Sequence, residues 1–332
     1  MTIDDEFLLE EERPRGWRRL VAGRSGRRLR RGLFWAAIIL LAAILLYYPI
    51  GMLWLHQIDD DTDFFAPVQV PEGASRAVGL SAALIEREVD QNAWVANDPF
   101  FLPGWALDNM PNYQQGIVSA LSRFAIEMTD QMGRSRGSSR ADPDLDKAAG
   151  LLKYPGTIWL FDLSTSWAPT ASSESQYRAA RQALLSYNRR LAAGQAVYDR
   201  RADNLLATIE RIAADLGSAS AVLDQHIEQS GGAWIDFKAD DIFYNTKGRI
   251  YAYGLLLREL GADFAPVIDE REMRAVWDQT VETFLFAAAL EPWIVSNGSA
   301  DGMVLPNHLL AQGFYLLRAR TQLRELANIL LK

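Results

Sequence analysis

The chain of 332 residues contains no cysteine and only three histidines, and these shortages exclude several kinds of site. Without cysteine there is no disulfide, no thiolate metal ligand and no cysteine nucleophile. One of the three histidines, His56, directly follows a long apolar segment, so a histidine-rich metal site is excluded. Glycine-rich phosphate loops, the zinc-protease motif and the G-x-S-x-G hydrolase motif are missing from the sequence as well. The sequence therefore predicts no cofactor and no metal.

Positive charge is also scarce, because 34 lysines and arginines stand against 42 acidic residues, for a net charge of −8. Nucleic-acid binding needs clustered lysine and arginine away from neighbouring carboxylates, so we expect no nucleic-acid partner. Arginine is concentrated in residues 1–32, which are net positive, whereas the remainder of the chain is acidic.

One long apolar run, from Leu33 to Leu55, contains no charged residue. As a helix it would be about 35 Å long, enough to cross a hydrocarbon layer of about 30 Å. Arginines precede the run and Asp59, Asp60 and Asp61 follow it, so the positive-inside rule predicts a cytoplasmic N-terminus. A cleaved signal peptide is the rival interpretation, but no A-x-A site follows. We predict an uncleaved anchor in the lipid bilayer of a bacterial inner membrane.

These features divide the chain into four predicted parts. Residues 1–32 are a cytoplasmic arginine-rich segment, 33–55 a transmembrane helix, 56–73 an acidic linker, and 74–332 a periplasmic, mostly helical domain.

Within the domain, apolar residues recur every three or four positions, which is typical of half-buried helices. The predicted fold class is mostly α, a helical bundle with a long helical hairpin or coiled-coil-like pair. Residues 174–229 supply that pair, either as one helix, as a hairpin or as two consecutive helices broken near Gly194. Asp142 and Pro143 predict the start of a helix, and Thr157–Leu163 is the one strand-like run. The other predicted helices are Ser75–Trp94, Tyr113–Met132, Lys247–Leu260, Glu270–Leu290 and His308–Leu330.

The most distinctive polar and aromatic stretch is NDPFFLPGWALDNMPNY, residues 97–113. Exposed aromatic rings beside Asn and Asp are typical of a glycan or peptide groove, and a carboxylate such as Asp98 could serve as an acid. Alternatively, Phe100, Phe101 and Trp105 fill the core while the prolines shape a turn. We favour the second interpretation, because nothing in the sequence fixes a second catalytic carboxylate.

Two segments of the chain read alike. Each has a tryptophan, an Asn-containing loop and a Pro-Asn pair before an apolar helix with an early glutamine and glycine. Asparagine caps helices and glycine permits close backbone approach, so either a duplication or common capping chemistry explains the likeness. We assign no catalytic residue. The candidate binding residues are Trp94, Asn97, Asp98, Trp105, Asn112 and Gln115 in the first segment and Trp293, Asn297, Asn307, His308 and Gln312 in the second.

Several stretches spread over nearly the whole chain carry a resemblance to a known family. They are YYPIGMLW, AWVANDPFFLPG, GLLKYPG, WAPTASSE, RRADNLL, FYNTKGR and LPNHLLAQGFYLLRARTQLRE. With these stretches the chain resembles the uncharacterised proteobacterial single-span inner-membrane proteins, a domain of unknown function. The resemblance implies an envelope protein with one membrane span and transfers no functional residue.

We therefore expect a non-enzymatic, membrane-anchored periplasmic scaffold or assembly protein of the bacterial cell envelope. Its expected partner is another envelope protein or a second copy of the chain, the latter joined through residues 174–229, since long amphipathic helices need partners for their apolar faces. The alternative function is peptidoglycan or glycan binding or cleavage by the loop at residues 94–113.

Overall fold

Helices dominate the structure, as the three- and four-residue spacing predicts. The computed structural model describes residues 24–66, 70–132, 141–161, 167–230, 237–292, 295 and 307–332. In these residues it contains α1 (Arg24–Leu55), α2 (Arg76–Glu86), α3 (Asn109–Glu127), α4 (Pro143–Leu152), α5 (Ser173–Ala192), α6 (Ala202–Ser230), α7 (Phe237–Asp263), α8 (Ala265–Glu270), α9 (Arg274–Ala288) and α10 (His308–Leu330). Single π-helical turns extend α2 over Arg87–Gln91 and α3 over Met128–Met132.

Helix α1 contains the charge-free run and belongs, up to Gly51, to a compact unit of its own. It is the one described helix that is long and apolar enough to cross a membrane, over Arg27–Leu55, and the structure buries none of its apolar window. Membrane anchors and signal sequences share these properties.

The second unit runs from Met52 to Lys332 and is organised around α7. Helices α2, α3 and α9 all pack against α7, while α4 and α5 complete one side and α6 and α10 pair on the other. The shared core includes the fully buried aromatic side chains of Tyr113, Tyr177, Tyr187, Tyr251, Tyr253, Phe264, Trp277 and Phe284.

Residues 174–229 form two consecutive helices, α5 and α6. The break falls where the sequence places it, because Gly194 adopts a left-handed φ of +70° and its N–H caps the carbonyl of Leu191 at 3.0 Å. Helix α5 packs on α4 and α2, whereas α6 packs on α10 and α7. Helices of the same chain therefore pack on the apolar faces of α5 and α6.

The strand expected at Thr157–Leu163 is wrong for the residues that the structure describes, since 157–161 form no strand. The carbonyls of Ile158 and Leu160 instead accept one backbone hydrogen bond each, from the N–H groups of Ser173 and Thr170. Two isolated bonds to the start of α5 satisfy part of this backbone without a ladder. Positions 162 and 163 lie outside the described residues.

Several helix ends of the second unit lie close to Gln57. We call this part of the unit the Gln57 end. The backbone N–H of Gln57 lies 3.4 Å from the Sδ of Met110, in the first turn of α3. The start of α7 lies at the same end, because the side-chain amide of Asn112 on α3 donates to the carboxylate of Asp241 on α7 at 2.7 Å. Gln312, near the start of α10, donates to the carbonyl of Phe243 at 3.0 Å.

At the opposite end of the unit, the Asp263 end, Asp263 accepts hydrogen bonds from Ser75 Oγ and from two backbone N–H groups at the start of α2. Helices α2 and α7 thus run from one end of the domain to the other in opposite directions.

Candidate functional site

The acidic segment after α1, residues 57–65, lies against the helical domain. Three cationic side chains hold it. Arg87 follows the end of α2, and Lys247 and Arg258 lie on two different turns of α7. The segment was predicted as part of a linker, and these contacts make it a packed element of the domain. We call it the clamped segment.

Arg87 is deeply buried, with 2% of its side chain exposed. It pairs with Glu88 at 2.7 Å, donates to the hydroxyl of Tyr251 at 2.7 Å and lies 3.4 Å from the carboxylate of Asp59. Its guanidinium also lies 4.7 Å from the ring centre of Phe64, a cation–π contact. The π-helical turn that begins at Arg87 directs two successive charged residues into the core.

Burial opposes the charge of Arg87, but Glu88, the phenols of Tyr251 and Tyr113, and Asp59 outweigh it and raise the pKa of Arg87 above its ordinary value. Burial also raises the pKa of Glu88, and the neighbouring guanidinium offsets part of that rise. The arginine therefore stays charged, and its charge is what allows a carboxylate in this core.

Lys247 is buried to the same degree and binds the beginning of the clamped segment. Its Nζ lies 2.6 Å from Asp60 Oδ2 and donates to the carbonyl of Leu290 at 2.8 Å. The carboxylate of Glu291 lies further away, at 3.9 Å. A single ammonium thus ties the clamped segment to the end of α9.

Arg258 holds the end of the same segment. It donates to the carbonyls of Thr62, at 2.8 Å, and Phe64, and its guanidinium lies 3.9 Å from the ring centre of Phe65. Two buried tyrosines add backbone contacts, because the hydroxyls of Tyr113 and Tyr251 donate to the carbonyls of Asp59 and Asp61. Two carboxylates and four backbone carbonyls of the clamped segment are thereby bound by the helices.

Two of the predicted binding residues are buried structural groups. Trp94 donates its indole N–H to the carbonyl of Gly156 at 2.8 Å and packs edge to face on Tyr177. The amide of Asn97 donates to the carbonyl of Ile158 and to Glu174, both at 2.8 Å. They hold residues 156–158 and the start of α5 in place.

The aromatic residues after them are exposed, so they do not fill the core. Trp105 is 61% exposed and Phe100 is 69% exposed. The ring of Phe101 lies 5.6 Å from that of Trp159, which contacts Phe161 in turn. We call the exposed side chains around these contacts the aromatic patch: Phe100, Phe101, Trp105, Leu160 and Phe161.

Asp98 lies half-buried beside this patch, against Gly104. Burial and the negative charge of Glu174 raise the pKa of Asp98 to about 6. The structure thus brings a second carboxylate near Asp98, which the sequence did not indicate.

The remaining candidates contribute to helix starts. Asn112 lies inside the first turn of α3, which Asp108 caps, and it binds Asp241. The side chain of Gln115 donates back to the carbonyl of Pro111 at 3.1 Å.

In the second segment, Asn307 is itself the N-cap of α10 and accepts from the N–H of Leu310 at 2.9 Å. Burial lowers the pKa of His308, the first residue of α10. The buried Gln312 binds α7, as noted above. Trp293 and Asn297 lie outside the described residues, and the two segments cap their helices with residues at different positions of the shared pattern.

Sequence inspection missed Arg87, Lys247 and Arg258. A signal was present, because Arg87 and Glu88 interrupt the apolar stripe that continues to Val89, and Lys247 lies within the FYNTKGR stretch. Charged residues inside a core-forming helix are uncommon unless they are paired, so these positions indicate buried partners of opposite charge. Pairing with Asp59 and Asp60, far away in sequence, required the fold.

The aspartates at 142 and 144 are bound by arginine. Asp142 caps α4, as predicted, and Arg190 pairs with both carboxylates at 2.6 Å. Among the described residues, no group of three or more histidine or acidic side chains is arranged to hold a metal ion.

Comparison with known families places the chain in one of them. The family model described as "Uncharacterized protein conserved in bacteria (DUF2333)" matches residues 29–234 and 227–332. Most of the chain is covered, so the chain belongs to this family, in agreement with the resemblance seen in the sequence. No curated protein and no solved structure matches it.

Proposed function

We propose that this member of an uncharacterised bacterial family is a non-catalytic assembly protein of the cell envelope. In this proposal α1 anchors it in the inner membrane with the N-terminus in the cytoplasm, and the helical domain occupies the periplasm. The charge asymmetry around the apolar run supports that orientation, since arginines precede it and aspartates follow it.

The observation that carries the proposal is the clamped segment. An enzyme or receptor on a flexible tether would leave the residues after its anchor free, but here Arg87, Lys247 and Arg258 occupy them. Because Gln57, two residues after α1, already contacts Met110, the domain begins directly after the anchor. A folded domain whose first packed residue follows the apolar run so closely in sequence suits the positioning of other envelope proteins.

A surface for such a protein lies beside the clamped segment. Thr62, α7 and α9 line a groove of about 610 Å³ whose floor is mainly apolar, with Trp277, Val281 and Leu285 among its residues. Charged side chains border it, including Arg274 and Glu282. An apolar groove with a charged rim is typical of sites that receive an amphipathic segment of another protein.

The proposed orientation is testable because the chain has no cysteine, so single cysteines can be introduced into a clean background. We expect Val197→Cys, in the domain, to react with a membrane-impermeant maleimide in spheroplasts. Thr2→Cys, in the arginine-rich segment, should react after lysis. Reaction of both or neither in intact spheroplasts would contradict the orientation.

The proposed partner surface is tested by crosslinking from the groove in the full chain in native membranes. We expect a photo-crosslinking residue at Val281 to give a discrete adduct and the same residue at Val197, outside the groove, to give none. An adduct of twice the chain's own mass would identify a second copy as the occupant. Equal labelling from both positions would contradict a role for the groove.

Glycan binding is the second candidate function, and one observation favours it. Asp98 and Glu174 interact beside the exposed ring of Phe101, the combination of carboxylates and aromatic faces that sugars require. If the chain binds glycan, we expect the detergent-solubilised full-length protein to sediment together with sacculi. Either Asp98→Asn or Phe101→Ala should abolish this co-sedimentation. Co-sedimentation that neither substitution changes would contradict glycan binding at this site.

A further inference from the structure

Exposed large apolar side chains are unevenly distributed over the helical domain. The aromatic patch lies at the Gln57 end, since its loop, residues 99–107, leads directly into the first turn of α3. The second segment that contributes to the aromatic patch, residues 158–161, is held there by the hydrogen bond from Asn97 to the carbonyl of Ile158. Leu310 and Phe314, exposed on the first two turns of α10, lie at the same end.

The Asp263 end differs. There, Phe65, Val197 and Leu331 are exposed large apolar side chains, and Phe65 lines a pocket together with Asp263. Only one of these three is aromatic, whereas five of the seven exposed apolar side chains named at the Gln57 end are aromatic. Val197 precedes Tyr198, whose hydroxyl lies 3.3 Å from Asp263. Water surrounds both ends equally in a domain that projects freely into solvent, so such a difference calls for a different environment at the Gln57 end.

The chain itself indicates that environment. Gln57 is two residues beyond the end of α1, so by backbone length it lies within about 7 Å of the point where the apolar run ends. The contact between Gln57 and Met110 places the first turn of α3 beside Gln57. The loop that carries Phe100, Phe101 and Trp105 ends three residues before that turn's Met110.

We propose that the Gln57 end is a second membrane-contact surface, on which the aromatic patch and Phe314 enter the headgroup region of the bilayer that holds α1. This inference rests on the proposed membrane anchoring. Tryptophan and phenylalanine partition into the membrane interface, where an apolar ring leaves water at little cost.

Charge is not what drives this contact. The five side chains of the aromatic patch are uncharged, and the nearest ionisable groups on the loop, Asp98 and Asp108, are acidic. An acidic rim would be repelled by anionic lipid, so insertion must come from the apolar rings and must persist in a zwitterionic bilayer. The aromatic patch would then hold the domain to the bilayer.

The test uses full-length protein in phosphatidylcholine vesicles with one bimane-labelled cysteine per variant. Trp105→Cys and Phe314→Cys report on the Gln57 end, Val197→Cys on the Asp263 end, and Leu45→Cys on the apolar run. Lipids carry a nitroxide quencher on the headgroup or along the acyl chain.

We expect headgroup nitroxide to quench the labels at positions 105 and 314 by about twofold or more and to leave position 197 unchanged, as interfacial insertion requires. Acyl-chain nitroxide should quench position 45. Quenching at 45 without quenching at 105 and 314 would overturn the membrane-contact surface and leave the anchor intact. No quenching at 45 would overturn the anchor, and the inference with it.

A separate arm distinguishes a sugar ligand. If the label at position 105 resists lipid quenching but is shielded when sacculi are added, then the aromatic patch binds glycan and the membrane proposal is wrong.

Discussion

Gly116 on α3 and Gly248 on α7 face each other where the two helices cross. A Cβ on Gly116 would collide with the carbonyl oxygen of Asn245, and one on Gly248 would collide with the carbonyl oxygen of Tyr113. The backbones therefore approach as closely as glycine permits. This crossing brings the side chains of Tyr113 and Lys247 to the clamped segment together.

We predict that Gly248→Ala destabilises the domain by about 3 kcal/mol or more, because the added methyl group meets a rigid backbone and the helices must separate. Gly313→Ala, also in a helix, is the matched control, since nothing lies within 4 Å of its Cβ position. It should stabilise by about 0.5–1 kcal/mol through its better helix propensity. Thermal unfolding followed by circular dichroism measures both, and equal effects would contradict the close crossing.

Lys247→Met should weaken the domain and release the clamped segment. It leaves the carboxylate of Asp60 without its ammonium partner in a mostly buried setting, for which we expect a loss of about 3 kcal/mol. Arg201→Met breaks an exposed pair with Asp203 and should cost less than about 1 kcal/mol. Limited proteolysis at residues 56–66 would show the release, and unchanged protection in Lys247→Met would argue against the clamp.

Arg87→Met should make stability depend on pH. Burial raises the pKa of Glu88, and without the guanidinium the folded-state pKa rises further above that of the unfolded chain. The folded protein then holds the proton more tightly, so stability is greatest below the unfolded pKa and falls as the pH rises through the folded pKa. We expect a loss of about 3–5 kcal/mol at pH 8 and a smaller loss at pH 5.

The double variant Arg87→Met with Glu88→Gln tests the cause of that pH dependence. Replacing the carboxyl by an amide should remove the slope between pH 5 and pH 8 and recover much of the lost stability, measured by urea unfolding. A slope that persists in the double variant would assign it to another group.

Asp98 should give a pH dependence of its own. Its pKa of about 6 in the folded domain lies above the ordinary value of about 3.9, so stability contributed by the protonated form is lost as the pH rises from about 4 through about 6. Asp98→Asn should flatten this part of the stability profile. Glu174→Gln should shift it to lower pH, because part of the rise comes from the charge of Glu174. A profile that Asp98→Asn leaves unchanged would refute the assignment.

Some features followed from local sequence alone because their causes are local. The helix that begins at Asp142 and Pro143 is one, since capping acts within a turn. The break at Gly194 is another, since a left-handed residue ends a helix wherever it lies. The helix His308–Leu330 was placed to the residue by its Asn cap and its apolar period.

The strand prediction at residues 157–161 was wrong for the converse reason, because its cause is not local. The β-branched and aromatic residues of this run favour a strand, but a strand needs a partner ladder, and residues 170–173 supply only two backbone-to-backbone hydrogen bonds. The core position that we favoured for Phe100 and Trp105 was likewise wrong, because an aromatic residue fits a core or an interface equally well by composition.

The sequence by itself determined the helical class, the single apolar run and the membership of the bacterial family, because periodicity, hydropathy and motif identity are properties of a linear chain. Only the tertiary structure decided what the charges do. The cations of α2 and α7 lie up to about 200 positions from the aspartates and carbonyls that they bind, so no local pattern links them. Burial then converts charges that would be solvated on separate helices into the contacts that hold the clamped segment against the domain.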